Sequence, residues 1–158
     1  MALLSSERHV AWCLGLAGLL PFIAGGVLAW LAPVAWQASA INGFTYYSAV
    51  ILSFLGGVHW GGVLKDSALQ DSALQVARPG NVRRLLLSML PSLMAWPALL
   101  LDVQTGLWVL LCGFILVGGY DLSRTGREGF PRWYFALRGL LSVVVVLLHG
   151  VVLLRLSP

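Results

Sequence analysis

The sequence is poor in charged residues. Only 10% of its 158 residues are Asp, Glu, Lys or Arg, and none of these four types occurs between Val10 and Leu64. A soluble domain carries charges at about a quarter of its positions. Because a bilayer core needs roughly 20 apolar residues per helix, this run can cross a membrane twice. The composition predicts an integral membrane protein.

Cysteines and catalytic motifs are also scarce. Cys13 and Cys112 each lie inside an apolar run, without the spacing of metal ligands, and we interpret them as small packing residues. The sequence contains no nucleophile elbow, no HExxH and no P-loop. It also has no soluble basic face that would suit nucleic acid. An enzymatic activity stays open but is not favoured, no nucleic-acid partner is expected, and any cofactor is unknown.

The apolar runs predict an all-α integral membrane protein, a single transmembrane domain over residues 1–158. Its bundle of five transmembrane helices is expected at about 10–31, 43–64, 84–101, 105–120 and 139–156. Pro21 predicts a kink in the first helix. The small residues Ala38-Ser39-Ala40 resemble a signal cleavage site. However, the first apolar run is longer than the roughly 7–15 residues of a signal core, so we expect a membrane helix there.

The basic residues predict an orientation. Apart from Arg8 and Arg155, every Lys and Arg lies within residues 65–84 or 124–138. Since Lys and Arg are enriched in cytoplasmic loops, we expect the amino terminus in the cytoplasm and the carboxyl terminus outside. The expected location is the cytoplasmic (inner) membrane of a cell, or the mitochondrial inner membrane in a eukaryote.

Two polar segments are interpreted as lying at the membrane surface. Asp66–Gln70 is repeated as Asp71–Gln75, which we interpret as a duplication in a surface loop. Pro131 is placed to open a short interfacial helix. Around it we expect residues that anchor the protein at the lipid surface: Arg124, Arg127, Arg132, Trp133, Tyr134 and Arg138.

Glycines surround the candidate site. Glycines four residues apart share one helix face and let a second helix approach closely, so we predict helix packing through Gly56, Gly57, Gly61, Gly118 and Gly119. His59 lies among the first three. An ionisable side chain within a membrane is costly unless it has a partner, so His59 requires an explanation.

A cleft on the cytoplasmic side is the predicted binding site, with the residues His59, Trp60, Tyr120 and Asp121. Arg124 could pair with Asp121. The simpler alternative is that His59 bonds to a carbonyl or to Asp121 and only fastens two helices. A metal at His59 and Asp121 is not favoured because it needs three or four ligands, and His149 is expected about 8–10 Å deeper.

Five segments carry a family resemblance: Gly15–Phe22, Tyr47–Gly61, Ser88–Trp96, Tyr120–Asp121 and Pro131–Arg138. Together they resemble a family of small multi-pass membrane proteins with no assigned activity, catalogued as domain of unknown function 3429 and related to a mitochondrial transmembrane protein. The duplicated loop is the main departure. The resemblance implies a membrane location and a shared fold, and it supplies no catalytic residues.

Two classes of function remain after this reasoning. The first is a non-enzymatic membrane protein that binds a small amphipathic ligand in the cytoplasmic-side cleft or assists assembly of a membrane complex. The second is a small transporter or proton/ion carrier that uses His59 and Asp121. The expected partners are the lipid bilayer, such a ligand, and a second copy of the chain or a membrane-complex partner.

Overall fold

The computed structural model describes residues 2–71, 79–123 and 132–157, and across these ranges it contains helices and no strand. The all-α prediction is confirmed. The helices are α1 (Ala2–Ala17), α2 (Leu20–Leu31), α3 (Val34–Asp71), α4 (Pro79–Ala98), α5 (Val103–Leu122) and α6 (Arg132–Leu156).

The first predicted helix is divided into α1 and α2 just before Pro21. Proline lacks an N–H and its ring clashes with the carbonyl four residues earlier, here that of Ala17. The chain adjusts at Gly18 and Leu19, where the Leu19 N–H donates to the carbonyl of Leu16, three residues back rather than four. Pro21 then lies in the first turn of α2, a position that tolerates proline.

α3 is longer at both ends than the sequence suggested. It begins at Val34, directly after Pro33, and continues to Asp71. Asn42 and Gly43 therefore lie inside a helix rather than at its start. The first copy of the duplicated segment, Asp66–Gln70, is helical and not a loop. The second copy lies outside the described residues, except for Asp71.

α4 and α5 form a hairpin through a short turn. Asp102 is the N-cap of α5, and its side chain accepts a hydrogen bond from the Thr105 N–H at 2.9 Å. This backbone donor holds the pKa of the Asp102 carboxyl below its usual value of 3.8. The turn between the predicted helices 84–101 and 105–120 is thus closed by a capping carboxylate.

Four stretches are long and apolar enough to cross a membrane: Arg8–Leu31, Val34–Gly62, Val103–Leu122 and Trp133–Leu156. The first of these includes the break between α1 and α2. The predicted span 84–101 corresponds to α4, which holds Pro91 and Pro97 and is not among the four. A multi-pass membrane protein is therefore supported, with four clear spans.

The helices pack around an aromatic core. α3 contacts α2, α4 and α5, while α6 contacts α5, α2 and α1. Phe22 of α2, Phe44 of α3 and Phe114 of α5 are buried together, and Phe22 meets the other two edge-on at 5.4 and 6.0 Å between ring centroids. Cys13 and Cys112 are exposed, so their interpretation as packing residues is wrong.

Candidate functional site

His59 makes one polar contact within its own helix and one outside it. It lies on α3, close to the end of the span Val34–Gly62. Its Nδ1 is 2.9 Å from the carbonyl oxygen of Leu55. Its Nε2 is 2.7 Å from Oδ1 of Asp121 on α5. The helix-fastening bond that the sequence analysis named as an alternative is therefore present in the structure.

The Asp121 carboxylate also binds a second side chain, that of Arg138. Its other oxygen, Oδ2, accepts a hydrogen bond from Nε of Arg138 at 2.9 Å and another from Nη2 of the same guanidinium. The side chains of Asp121 and Arg138 are 7% and 10% exposed, whereas that of His59 is 19% exposed. His59, Asp121 and Arg138, which we call the polar cluster, thus join α3, α5 and α6, with His59 nearest the surface.

Arg138 does not lie where the sequence analysis placed it. It was grouped with residues expected to anchor the protein at the lipid surface, in a basic loop that was expected to contain a short interfacial helix opened by Pro131. Instead α6 begins at Arg132 and continues without interruption to Leu156. Arg138 therefore lies on a spanning helix and faces the bundle interior, where a buried guanidinium needs a carboxylate partner. Sequence reasoning named Arg124 for that role and missed Arg138.

The aromatic residues predicted for the cleft and for the lipid surface differ in how far they are buried. The Tyr120 ring packs against His59, with 5.3 Å between the ring centroids. Trp60 points outward and leaves 46% of its surface exposed. Trp133 and Tyr134 are half-buried and pack edge-on at 6.2 Å. Arg124 and Arg127 lie outside the described residues, as does the side chain of Arg132.

The predicted packing glycines divide into two groups. A Cβ at Gly56 would collide with the carbonyl oxygen of Ser88 on α4, and one at Gly118 would meet Ser142 of α6 at 3.3 Å. At Gly57, Gly61 and Gly119 a Cβ would meet nothing within 4 Å. Among these five glycines, Gly56 and Gly118 are therefore the two that lie at contacts between the described helices.

His149 is remote from the polar cluster. It follows Arg138 by eleven residues along α6, which corresponds to roughly 16 Å at the helical rise. It is fully buried, and its ring lies 4.8 Å from Phe44 and 5.2 Å from Phe114 between centroids. Within the described residues, no three His, Cys, Asp or Glu side chains come together as metal ligands would.

The arrangement places the His59 imidazole and the Arg138 guanidinium around one carboxylate at one end of the spans. Asp121 adjoins the end of the span Val103–Leu122, and Arg138 lies near the start of Trp133–Leu156. The end of the apolar span of α3, which holds His59, the end of α5 and the beginning of α6 therefore meet at the same level. Chemically, such a cluster can bind an anion at the boundary of the apolar layer.

Comparisons with known proteins agree with a membrane location. The sequence profile of the family described as "Protein of unknown function (DUF3429)" matches residues 7–154. Transmembrane protein 69 of Xenopus tropicalis is 34% identical over 135 residues, which are 84% of this chain and 49% of that protein. Transmembrane protein 69 of Mus musculus is 32% identical over 144 residues, 90% of this chain and 54% of that protein.

The chain spans about half the length of these curated relatives. Their names state a transmembrane protein and no activity. No solved structure matches the chain significantly.

Proposed function

Because the chain belongs to the DUF3429 family of proteins of unknown function, we propose a role from its site: it binds the anionic head group of a small amphipathic ligand. The head group would lie at the polar cluster of His59, Asp121 and Arg138, and the apolar tail would extend along the helices. This is a binding function without chemistry on the ligand. The observation that carries it is one carboxylate shared by two cationic side chains.

The charge balance of the cluster supports this proposal. Arg138 is positive at any physiological pH. Each ring nitrogen of His59 faces an oxygen, which requires one proton on Nδ1 and a second between Nε2 and Asp121. Asp121 supplies a single negative charge, so one positive charge is left over. A charge at the centre of a membrane helix costs about 2.5–3.5 kcal/mol on insertion scales, and a charge nearer the boundary costs less. An anion bound beside the cluster would remove that cost.

The position of the cluster supports an amphipathic ligand rather than a free ion. All three residues lie near the ends of spanning stretches, where lipid head groups meet the apolar layer. Tyr120 packs against His59, and tyrosine rings favour this boundary because they are apolar with one polar end. A ligand with an anionic head and an apolar tail would satisfy both environments.

The orientation and location of the protein are part of the proposal. The basic segments 65–84 and 124–138 support a cytoplasmic position for the cluster end of the bundle, with the amino terminus on that side and the carboxyl terminus outside. We accordingly propose a single five-span domain in a cytoplasmic membrane, with α4 as the fifth span.

A proton or ion carrier that uses His59 and Asp121 has less support. Asp121 is already bound by Arg138. His149 lies roughly 16 Å further along α6 and is surrounded by phenylalanine rings. The described side chains therefore provide no polar path from the cluster to the next ionisable group on α6.

Thermal unfolding of the purified protein in a neutral detergent tests the binding proposal. Decanesulfonate serves as the anionic probe and decanol as the neutral probe of equal chain length. A ligand at a hundredfold excess over its Kd stabilises the folded state by about 2.7 kcal/mol. We expect decanesulfonate to raise the unfolding midpoint and decanol to leave it unchanged.

Two arginine variants provide the matched comparison. Arg138→Gln should lose the shift caused by decanesulfonate, whereas Arg155→Gln, which changes an arginine at the far end of α6, should keep it. Equal stabilisation by decanol, or a shift that survives in Arg138→Gln, would overturn the proposal.

A further inference from the structure

We infer that a proton is a component of this binding site, so that the anionic head group binds together with one proton held by His59. The inference rests on the proposed function, because it names what controls the affinity of the same cluster. It follows from hydrogen bonding and charge at three residues on three helices.

The contacts of the imidazole require two N–H groups. Nδ1 lies 2.9 Å from the Leu55 carbonyl oxygen, which has only lone pairs, so Nδ1 must donate. Nε2 lies 2.7 Å from Oδ1 of Asp121, so a proton must lie between these two atoms as well. A neutral imidazole carries one N–H and would place a lone pair against one of the two oxygens.

The excess charge depends on that proton. Whether the proton resides on Nε2 or on Oδ1, the charges of His59, Asp121 and Arg138 sum to one positive charge. Without the proton they sum to zero, because Asp121 and Arg138 neutralise each other. Loss of the proton therefore removes both the attraction for an anion and one of the two hydrogen bonds of the imidazole.

A second acidic side chain is absent from the described residues of the helices packed against α3 around the cluster. α2 contains no ionisable side chain, and Asp121 is the only acidic residue in α2, α4, α5 and α6. The charged residues of α4 are Arg83 and Arg84, which keep their protons.

Stability without ligand is the first test. We expect the unfolding midpoint of the wild-type protein in neutral detergent to fall as the pH rises from about 5 to 9, which brackets the ordinary imidazole value of about 6.5. The sign follows from the geometry: the folded cluster needs the proton, so its stabilisation is present at low pH and is lost as the pH rises. His59→Gln should remove this dependence, and His9→Gln should retain it.

Affinity for decanesulfonate is the second test, because a sulfonate keeps its charge over this pH range. Once His59 has lost its proton, the Kd should rise about tenfold per pH unit, as expected for linkage to one proton. In His59→Gln the Kd should be weak at every pH and should not vary. Rescue comes from His59→Lys, whose charge is retained and which should bind with little pH dependence.

The outcomes separate this inference from the function on which it rests. Decanesulfonate binding of equal strength at every pH, or a pH dependence that persists in His59→Gln, would overturn the role of the proton and leave anion binding intact. Failure of the wild-type protein to bind decanesulfonate at any pH would overturn both.

Discussion

At the scale of single residues, Gly56 shows how closely the helices approach beside the cluster. A methyl group there would collide with the backbone carbonyl of Ser88, which cannot rotate away. Gly56→Ala should therefore push α3 away from α4 and lower the free energy of unfolding by about 1–3 kcal/mol, the usual cost of overpacking. Unfolding midpoints in neutral detergent measure this effect.

Gly57 is the matched control, since a Cβ at this neighbouring position meets nothing within 4 Å. Gly57→Ala should leave stability unchanged or raise it slightly, because alanine favours a helix over glycine by about 1 kcal/mol. Equal losses of stability in the two variants would mean that the contact with Ser88 does not determine the result.

At the scale of helices, Asp121 is the residue that α3, α5 and α6 share. Asp121→Asn would leave His59 and Arg138 as neighbouring cations without a carboxylate, and breaking a buried ion pair in this way costs about 3–5 kcal/mol. His59→Gln and Arg138→Gln each leave one cation paired with Asp121 and should cost less. Chemical or thermal unfolding of the three variants measures their losses of stability and shows which loss is largest.

Arg155→Gln is the control for these variants. It tests whether loss of any arginine hydrogen bond lowers stability as much as loss of a contact in the polar cluster does. Arg155 hydrogen-bonds Gln37 at an exposed position, where such contacts contribute little. We expect a small change there. If Asp121→Asn proved no more harmful than Arg155→Gln, the cluster would not be a structural junction of the three helices.

At the scale of the whole molecule, the side of the membrane reached by each turn distinguishes five spans from four. In a background with Cys13 and Cys112 replaced by alanine, Ser72→Cys labels the segment between α3 and α4, and Gln104→Cys labels the beginning of α5. If α4 crosses the membrane, an impermeant maleimide should label position 104 from outside and position 72 only after the cells are permeabilised. Labelling of both positions from one side would mean that α4 does not cross.

The class of the protein and most of its helices follow from local features of the sequence. Run lengths of apolar residues predict membrane helices because each crossing must satisfy its own backbone within the bilayer. The break near Pro21 and the hairpin at Asp102 are equally local. Helix ends were less predictable. α3 and α6 extend past their apolar runs because polar and charged residues are tolerated in a helix that continues beyond the apolar layer or pairs within the bundle.

His59 and Asp121 could be singled out from the sequence, because ionisable residues at the ends of apolar runs are conspicuous. Only the tertiary structure identified Arg138 as the partner of Asp121 and separated Gly56 and Gly118 from the glycines with open surroundings. His59 and Asp121 are 62 residues apart in the chain, and Asp121 and Arg138 are 17 apart. A choice between Arg124 and Arg138 depends on the rotation and depth of packed helices, which no local pattern records.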